Sequence, residues 1–146
     1  NSTGQQRVLT SYITRDIVGS KWYEEIILQT VRKKHNIKII VDKEYVKNFA
    51  KKYGSSTDYY EPYAKLYTNL NKRVYDETGF KIKGKVIIYD NIVAMMSQEG
   101  GKFVGSEIES QHIATTYKSL FDVIWKQTSA DDQIDRYLAK IKKGSK

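Results

Sequence analysis

The sequence predicts an α/β domain in which a strand–helix–strand unit is followed by an antiparallel meander and C-terminal helices. Two short β-rich segments, residues 7–13 and 37–41, flank an amphipathic segment at residues 21–34. Three more β-rich segments follow residue 84 with links of only a few residues, and apolar residues recur at helical spacing from about Gln111. Parallel strands need long crossovers and short links join antiparallel ones, so we expect one mixed sheet flanked by helices.

The first third of the chain predicts a βαβ unit. Residues 7–13 are rich in β-branched and aromatic side chains, and Ser20 can cap the helix that follows by accepting a bond from a backbone N–H. Glu24 and Glu25 near the start of that helix and basic residues 32–34 near its end suit the helix dipole. Residues 37–41 are apolar enough for a strand covered on both faces, and the crossover should be right-handed.

Two more helices are predicted before the meander. The first covers residues 43–53, with Gly54 as its stop. The second opens at Asp58, because Asp58 and Glu61 have capping-box spacing, and it extends to Leu70. This second helix carries a tyrosine stripe made of Tyr59, Tyr60, Tyr63 and Tyr67. The stripe could stack on bases or sugars, although such stripes are more often core or a subunit interface.

The second half predicts three antiparallel strands and two helices. The strands are residues 85–89, 92–97 and 103–108, with tight turns at residues 90–91 and 100–101. The helix from about Gln111 presents apolar side chains at helical spacing as far as Trp125. A last amphipathic helix is capped by Ser129, three residues before Asp132.

Length and composition narrow the function classes. The chain has 146 residues, enough for one domain with a real core, and a net charge of +8 that favours anionic partners such as nucleic acid or phosphorylated metabolites. It has no cysteine, which excludes disulfides, thiolate catalysis and cysteine-based zinc sites. No apolar run approaches the ~20 residues of a membrane span and no secretory signal opens the chain, so a cytoplasmic location without a membrane partner is expected.

One short motif carries chemistry: the frame Lys83-x-Lys85-x4-Asp90, with Ser97 seven residues later. Alternate residues of a strand share a face, so Lys83 and Lys85 are expected to point into one cleft and to bind an anion there. Both ammonium groups stay protonated near neutral pH unless strongly desolvated, so neither is a good nucleophile. Asp90 can pair with one of these lysines or simply form the hairpin turn.

Other catalytic and metal-binding chemistry has little support. His35 ends a predicted helix beside two lysines, where a cationic cap is the ordinary role, and His112 lies in the first turn of a helix. No pair of histidines has metal-ligand spacing, and the clustered carboxylates at a predicted strand edge are only Glu107 and Glu109. No metal and no cofactor are therefore expected.

The segment from Lys83 to Lys126 resembles the catalytic half-site of the phospholipase D superfamily. In that pattern, His-x-Lys-x4-Asp, the histidine attacks phosphorus and the lysine holds the phosphoryl oxygens. Here Lys83 stands in the histidine position, Lys85 in the lysine position and Asp90 in the aspartate position. The resemblance therefore implies a phospholipase D-like fold that has lost its nucleophile and is not an enzyme.

Inactive single-copy domains of this kind resemble the effector domains of TrmB-like transcriptional regulators, and the resemblance covers about residues 7–127. It implies a homodimer that binds a small-molecule effector, such as a sugar or an anionic metabolite, and contacts DNA through a winged-helix domain absent from this chain. The expected ligand residues are Lys83, Lys85, Asp90 and Ser97, with Arg15 and Asp16 at the rim. A twofold axis would place the two Lys83/Lys85 clefts near each other.

The resemblance also sets the expected domain boundaries. Residues 7–128 form the phospholipase D-like domain, residues 1–6 are disordered or derive from cloning, and residues 129–146 form an amphipathic helix and tail. Two alternatives stay open. The chain could be a phosphodiesterase or nuclease of the same superfamily with altered chemistry, or a basic nucleic-acid-binding module that uses its charge and the tyrosine stripe.

Overall fold

The computed structural model describes residues 5–12, 36–53, 70–75 and 79–128. These residues form a six-stranded mixed sheet and two helices. In chain order the elements are β1 (Gln5–Thr10), β2 (Asn36–Val41), α1 (Lys43–Tyr53), β3 (Leu70–Val74), β4 (Lys85–Tyr89), β5 (Ile92–Glu99), β6 (Lys102–Glu109) and α2 (Gln111–Lys126). The strand order across the sheet is β3-β2-β1-β4-β5-β6.

The sheet has a parallel and an antiparallel half. Strands β1, β2 and β3 are parallel neighbours, and β4, β5 and β6 continue from β1 as an antiparallel meander. The predicted parallel pairing of the first two strands and the predicted meander are therefore confirmed. β1 begins at Gln5 and ends at Thr10, so residues 5 and 6, which the sequence assigned to the N-terminal segment, pair with β2 instead.

The strand β3 is a correction to the sequence prediction. Capping-box spacing and the tyrosine stripe predicted a helix as far as Leu70, but Leu70–Val74 pairs with β2 along its whole length. Lys72 and Arg73 occupy its middle, and such charged residues weaken a strand signal that depends on apolar alternation. The rest of that predicted helix lies outside the described residues, as do the helices predicted after Ser20 and Ser129.

The helices cover opposite faces of the sheet. Lys72 contacts α1, whereas the next residue, Arg73, places its guanidinium 4.2 Å from the ring centroid of Trp125 in α2. Adjacent side chains of a strand point to opposite faces, so α1 and α2 lie on different sides. α1 follows β2 at once because Asp42 caps it: a carboxylate oxygen accepts a bond of 2.8 Å from the Tyr45 N–H.

The helix α2 closes the larger part of the core. Ser110 caps it by accepting a bond of 3.2 Å from the Ile113 N–H. The buried cluster beneath it contains Leu9, Ile40, Tyr75, Ile82, Ile88, Val93, Ala114 and Phe121. Arg7 of β1 forms a salt bridge of 3.0 Å with Asp122, which ties the far end of the helix to the centre of the sheet.

Candidate functional site

The polar residues of interest gather at one edge of the sheet, where the parallel strands end. β1 ends at Thr10 and β2 at Val41, and both lie in register with Lys85 at the start of β4. In open α/β sheets, ligands bind outside the carboxyl ends of the strands, next to the point where the strand order reverses. In this sheet that point is β1, because β2 lies on one side of it and β4 on the other.

A glycine separates the two lysines of the motif. Gly84 has a φ of +95°, and a Cβ there would lie 2.5 Å from the backbone oxygen of Met96. Ser11 holds the bend, because its backbone N–H donates a bond of 3.0 Å to the Gly84 carbonyl and its hydroxyl accepts one of 3.2 Å from the Gly84 N–H. The position therefore needs a residue without a side chain.

The bend corrects the expectation that Lys83 and Lys85 share a strand face. β4 begins only at Lys85, so strand alternation does not extend back to Lys83. Lys83 is exposed, whereas Lys85 is only 8% exposed. The position that carries the nucleophile in the enzymatic pattern thus holds a solvent-exposed lysine outside the strand.

Lys85 is instead accompanied by Lys72, which the sequence analysis did not identify. Lys85 lies in one cross-strand row with Thr10, Val41 and Val74, and Lys72 is two residues before Val74, hence on the same face. The Lys72 Nζ donates a bond of 2.9 Å to the Tyr45 hydroxyl and lies 5.2 Å from the centroid of that ring. The available signal was a lysine with an aliphatic residue two positions away on each side, Leu70 and Val74, but the sequence predicted no strand here.

Both buried lysines have lowered pKa values. Burial and, to a smaller extent, the positive charge of Lys85 together lower the pKa of Lys72 to about 7. Burial alone lowers the pKa of Lys85 to about 8. Lys72 as a residue is only partly buried, but its ammonium group is desolvated because it lies against the rings of Tyr45 and Phe49. An anion held by the two ammonium groups would favour their charged forms and would raise both pKa values.

Asp42 connects this lysine pair to the exposed motif lysine. Burial raises the pKa of Asp42 above its usual value, while the bond from the Tyr45 N–H and the charge of Lys83 oppose the rise. Tyr45 itself accepts the bond from Lys72. The start of α1 thus positions a carboxylate on which the charge of Lys83 acts and a hydroxyl in contact with Lys72.

The other expected site residues are divided between the two ends of the sheet. Ser97 is at the Lys85 end, since its Cβ would lie 3.3 Å from a Cβ on Gly84. Asp90 is in the β4–β5 turn with a φ of +49°, at the opposite end of β4. Its carbonyl accepts a bond of 2.6 Å from the Lys118 Nζ. Asp90 therefore has the turn role rather than a place beside Lys85, and Arg15 and Asp16 lie outside the described residues.

Histidine and metal chemistry have no centre in the part of the chain that the structure describes. His112 is exposed in the first turn of α2, and His35 lies outside the described residues. Across residues 5–12, 36–53, 70–75 and 79–128, no three His, Cys, Asp or Glu side chains form a group that could hold a metal ion. Neither α1 nor α2 is long and apolar enough to cross a membrane.

Solved structures share this fold. TrmBL2, an archaeal chromatin protein described with a novel mode of DNA binding, matches with a TM-score of 0.57 and 17% identity, over 87% of this chain and 46% of its own length. Nuc from Salmonella typhimurium, a phospholipase D family member, matches with a TM-score of 0.52 and 15% identity, over 87% of this chain and 81% of its own. No protein-family model and no curated protein matches the sequence.

These matches establish the fold class. The chain has a phospholipase D-like α/β fold, as the sequence predicted, and it spans about half the length of TrmBL2. Identities of 17% and 15% carry no residue roles, so the chemistry of this chain must be argued from its own side chains.

Proposed function

We propose that this chain is the catalytically inactive, effector-sensing and dimerisation domain of a TrmB-like transcriptional regulator. Its ligand would be a small anionic metabolite, such as a sugar phosphate, bound at the buried lysine pair Lys72 and Lys85. DNA would be contacted through a winged-helix domain elsewhere in a longer cytoplasmic protein.

The observation that carries this proposal is the separation of Lys83 from Lys85. A nucleophile must lie beside the group that holds the phosphoryl oxygens, within reach of the same phosphorus atom. The bend at Gly84 leaves Lys83 exposed, whereas Lys85 is buried on the sheet face that also carries Lys72. This arrangement supports binding of an anion at Lys85 without attack by Lys83, the residue in the nucleophile position.

Thermal unfolding against a ligand panel tests the proposal. The panel contains sugars, sugar phosphates, nucleotides and inorganic phosphate, and a ligand at a hundred times its Kd adds about 2.7 kcal/mol, which raises Tm by roughly 5–10 °C. We expect an anionic class to stabilise the wild type and to lose this effect in Lys72→Met and Lys85→Met. Lys83→Met is the matched control and should keep the response. A panel that leaves Tm unchanged would contradict effector binding.

Phosphodiester hydrolysis is the second candidate, and the low pKa of Lys72 favours it. With a pKa of about 7, this lysine carries a neutral amine in about half of the molecules at neutral pH. Hydrolysis of bis(p-nitrophenyl) phosphate that is abolished in Lys85→Ala would replace the sensor proposal with an enzyme.

Direct nucleic-acid binding is the third candidate, supported by the net charge of +8 and by the DNA binding described for TrmBL2. Its signature would be oligonucleotide binding that weakens steeply with salt, because phosphate contacts release counterions. Binding of this kind by the 146-residue chain would favour a nucleic-acid module over a sensor.

A further inference from the structure

Lys72 lies against an apolar wall that α1 presents to β3. Its Nζ is 5.2 Å from the centroid of the Tyr45 ring and 5.9 Å from that of Phe49, and the two rings stack with their centroids 6.0 Å apart. Both aromatic residues are buried. Water cannot solvate an ammonium group on the side that these rings cover, so the surroundings favour the neutral amine. A neutral lysine amine is a nucleophile, whereas an ammonium group is not.

A second lysine on the same face adds to this effect. Lys85 is buried, and the strand register places it on the sheet face that carries Lys72. Its positive charge acts on Lys72 and disfavours a second positive charge there. Desolvation and a neighbouring cation are the two arrangements that activate a lysine for Schiff-base formation with a carbonyl compound. The neutral amine therefore gives the site a reactivity that electrostatic binding of an anion does not use.

We propose that Lys72 forms a reversible Schiff base with the carbonyl carbon of a phosphorylated aldehyde or ketone, such as an open-chain sugar phosphate, while Lys85 binds the phosphate. Lys72 as a residue remains partly exposed, so a ligand can reach it. This inference rests on the proposed function and narrows its ligand from anionic metabolites to those that also carry a carbonyl group.

The reaction balances without a further reagent. The Lys72 Nζ attacks the carbonyl carbon, a C–N bond forms, and the carbonyl oxygen becomes the hydroxyl of a carbinolamine as one proton passes to it from the nitrogen. The C–O bond then breaks, the nitrogen lone pair forms the C=N bond, and the oxygen leaves as water with the second proton of the amine. Addition of water reverses both steps and restores the amine and the carbonyl compound, as reversible sensing requires.

Tyr45 supplies a hydroxyl for this proton movement. Its oxygen lies 2.9 Å from the Lys72 Nζ, within hydrogen-bonding distance of the reacting nitrogen. A hydroxyl both donates and accepts hydrogen bonds, so it can accept a proton from the nitrogen and pass one to the carbonyl oxygen. The backbone of Tyr45 is fixed at the start of α1, because its N–H donates a bond of 2.8 Å to the Asp42 carboxylate.

The two lysines divide the tasks between them. Lys85, with a pKa of about 8, is mostly charged at pH 7 and suits the phosphate, whereas Lys72, with a pKa of about 7, is half neutral and suits the carbonyl carbon. A plain aldehyde would lose the interaction with the charge of Lys85. A phosphate without a carbonyl group would lose the covalent bond to Lys72. A ligand that carries both groups uses the whole site.

Reductive trapping on the 146-residue chain tests the proposal. The chain is incubated at pH 7 with glyceraldehyde phosphate and sodium cyanoborohydride, which reduces an imine to a stable amine, and the modified lysines are mapped by mass spectrometry. At this pH an ordinary lysine, with a pKa of 10.5, carries a far smaller fraction of neutral amine than Lys72. We expect Lys72 to be trapped at least about tenfold faster than Lys83, the exposed lysine at the same end of the sheet.

Three matched changes isolate the parts of the site. Glyceraldehyde lacks the phosphate and Lys85→Met lacks the ammonium group that binds it, so each should remove most of the excess at Lys72. Tyr45→Phe keeps the ring and loses the hydroxyl, so it should slow trapping at Lys72 severalfold and leave trapping at Lys83 unchanged. Equal trapping of Lys72 by glyceraldehyde and by its phosphate would overturn the role of Lys85.

Thermal unfolding with glycerol phosphate, which has no carbonyl group, separates failure of the Schiff base from failure of the proposed function. A rise in Tm without faster trapping of Lys72 than of Lys83 would overturn the covalent step and leave anion binding intact. A chain that shows neither a rise in Tm nor faster trapping of Lys72 would overturn both.

Discussion

The buried position of Lys72 predicts a stability that depends on pH in an unusual direction. Its pKa is about 7 in the folded chain and 10.5 at its ordinary value, so between these values the unfolded chain binds more protons. The free energy of unfolding therefore rises as pH rises from about 7 towards 10.5, and this gain is lost again as pH falls towards 7. A lysine whose pKa is raised in the folded chain would give the opposite sign.

Replacing Lys72 with methionine isolates this effect. Methionine keeps the length of the side chain and has no ionisable group, so Lys72→Met removes the cost of burying an ammonium group. From the two pKa values, the advantage of the variant over wild type should shrink by about 2 kcal/mol between pH 7 and pH 9. The variant also loses the hydrogen bond to the Tyr45 hydroxyl, which reduces its stability by about 1 kcal/mol at both pH values. This loss does not alter the predicted change between pH 7 and pH 9.

Urea unfolding of both proteins at the two pH values measures the change. Lys83→Met controls for the loss of one positive charge at an exposed position of the same sheet end. A difference between Lys72→Met and wild type that stays constant, or that grows as pH rises, would show that the ammonium group is not desolvated.

Three further predictions concern the frame of the site, each checked by urea unfolding. Gly84→Ala should lower the free energy of unfolding by more than about 2 kcal/mol, because the new Cβ would meet the backbone oxygen of Met96. Gly100→Ala is the control: this residue also has a positive φ but has open space around it, so the loss should be about 1 kcal/mol. Equal losses would mean that the contact at Gly84 is relieved. Asp42→Ala should lower the free energy of unfolding by about 1 kcal/mol, because α1 loses its N-cap. Asp42→Asn should keep most of the capping stabilisation, because asparagine is also a good N-cap residue. Arg7→Met should cost at most about 1 kcal/mol, and high salt should reduce that loss; a larger, salt-insensitive loss would argue against an ion pair with Asp122.

The sequence predicted the antiparallel half of the sheet well and the site only in part. Two-residue turns fix the pairing of neighbouring strands, so the turn residues at Asp90 and Gly100 were enough to predict that β4, β5 and β6 pair as antiparallel neighbours. The start of β4 was harder, because strand alternation gives no sign of a bend until a close approach such as that of Gly84 to β5 is seen.

The lysine pair could not be predicted because it depends on tertiary pairing. Lys72 and Lys85 are on strands separated by β1 and β2, and their common face follows from the register of four strands. Asp90 shows the reverse case: its position in a motif suggested a place in the site, but its turn geometry was already implied by the Asp90-Asn91 pair.

The most direct test of the central claim is proton uptake when an anion binds. Titration calorimetry of the chain with a stabilising sugar phosphate at pH 8, in two buffers of different ionisation enthalpy, counts the protons taken up with the ligand. We expect uptake of about one proton, because an anion raises the lowered pKa values of Lys72 and Lys85. Lys72→Met and Lys85→Met should lose the binding of the ligand and the proton uptake with it. Binding without proton uptake, or turnover of the ligand, would contradict an anion sensor built on the buried lysine pair.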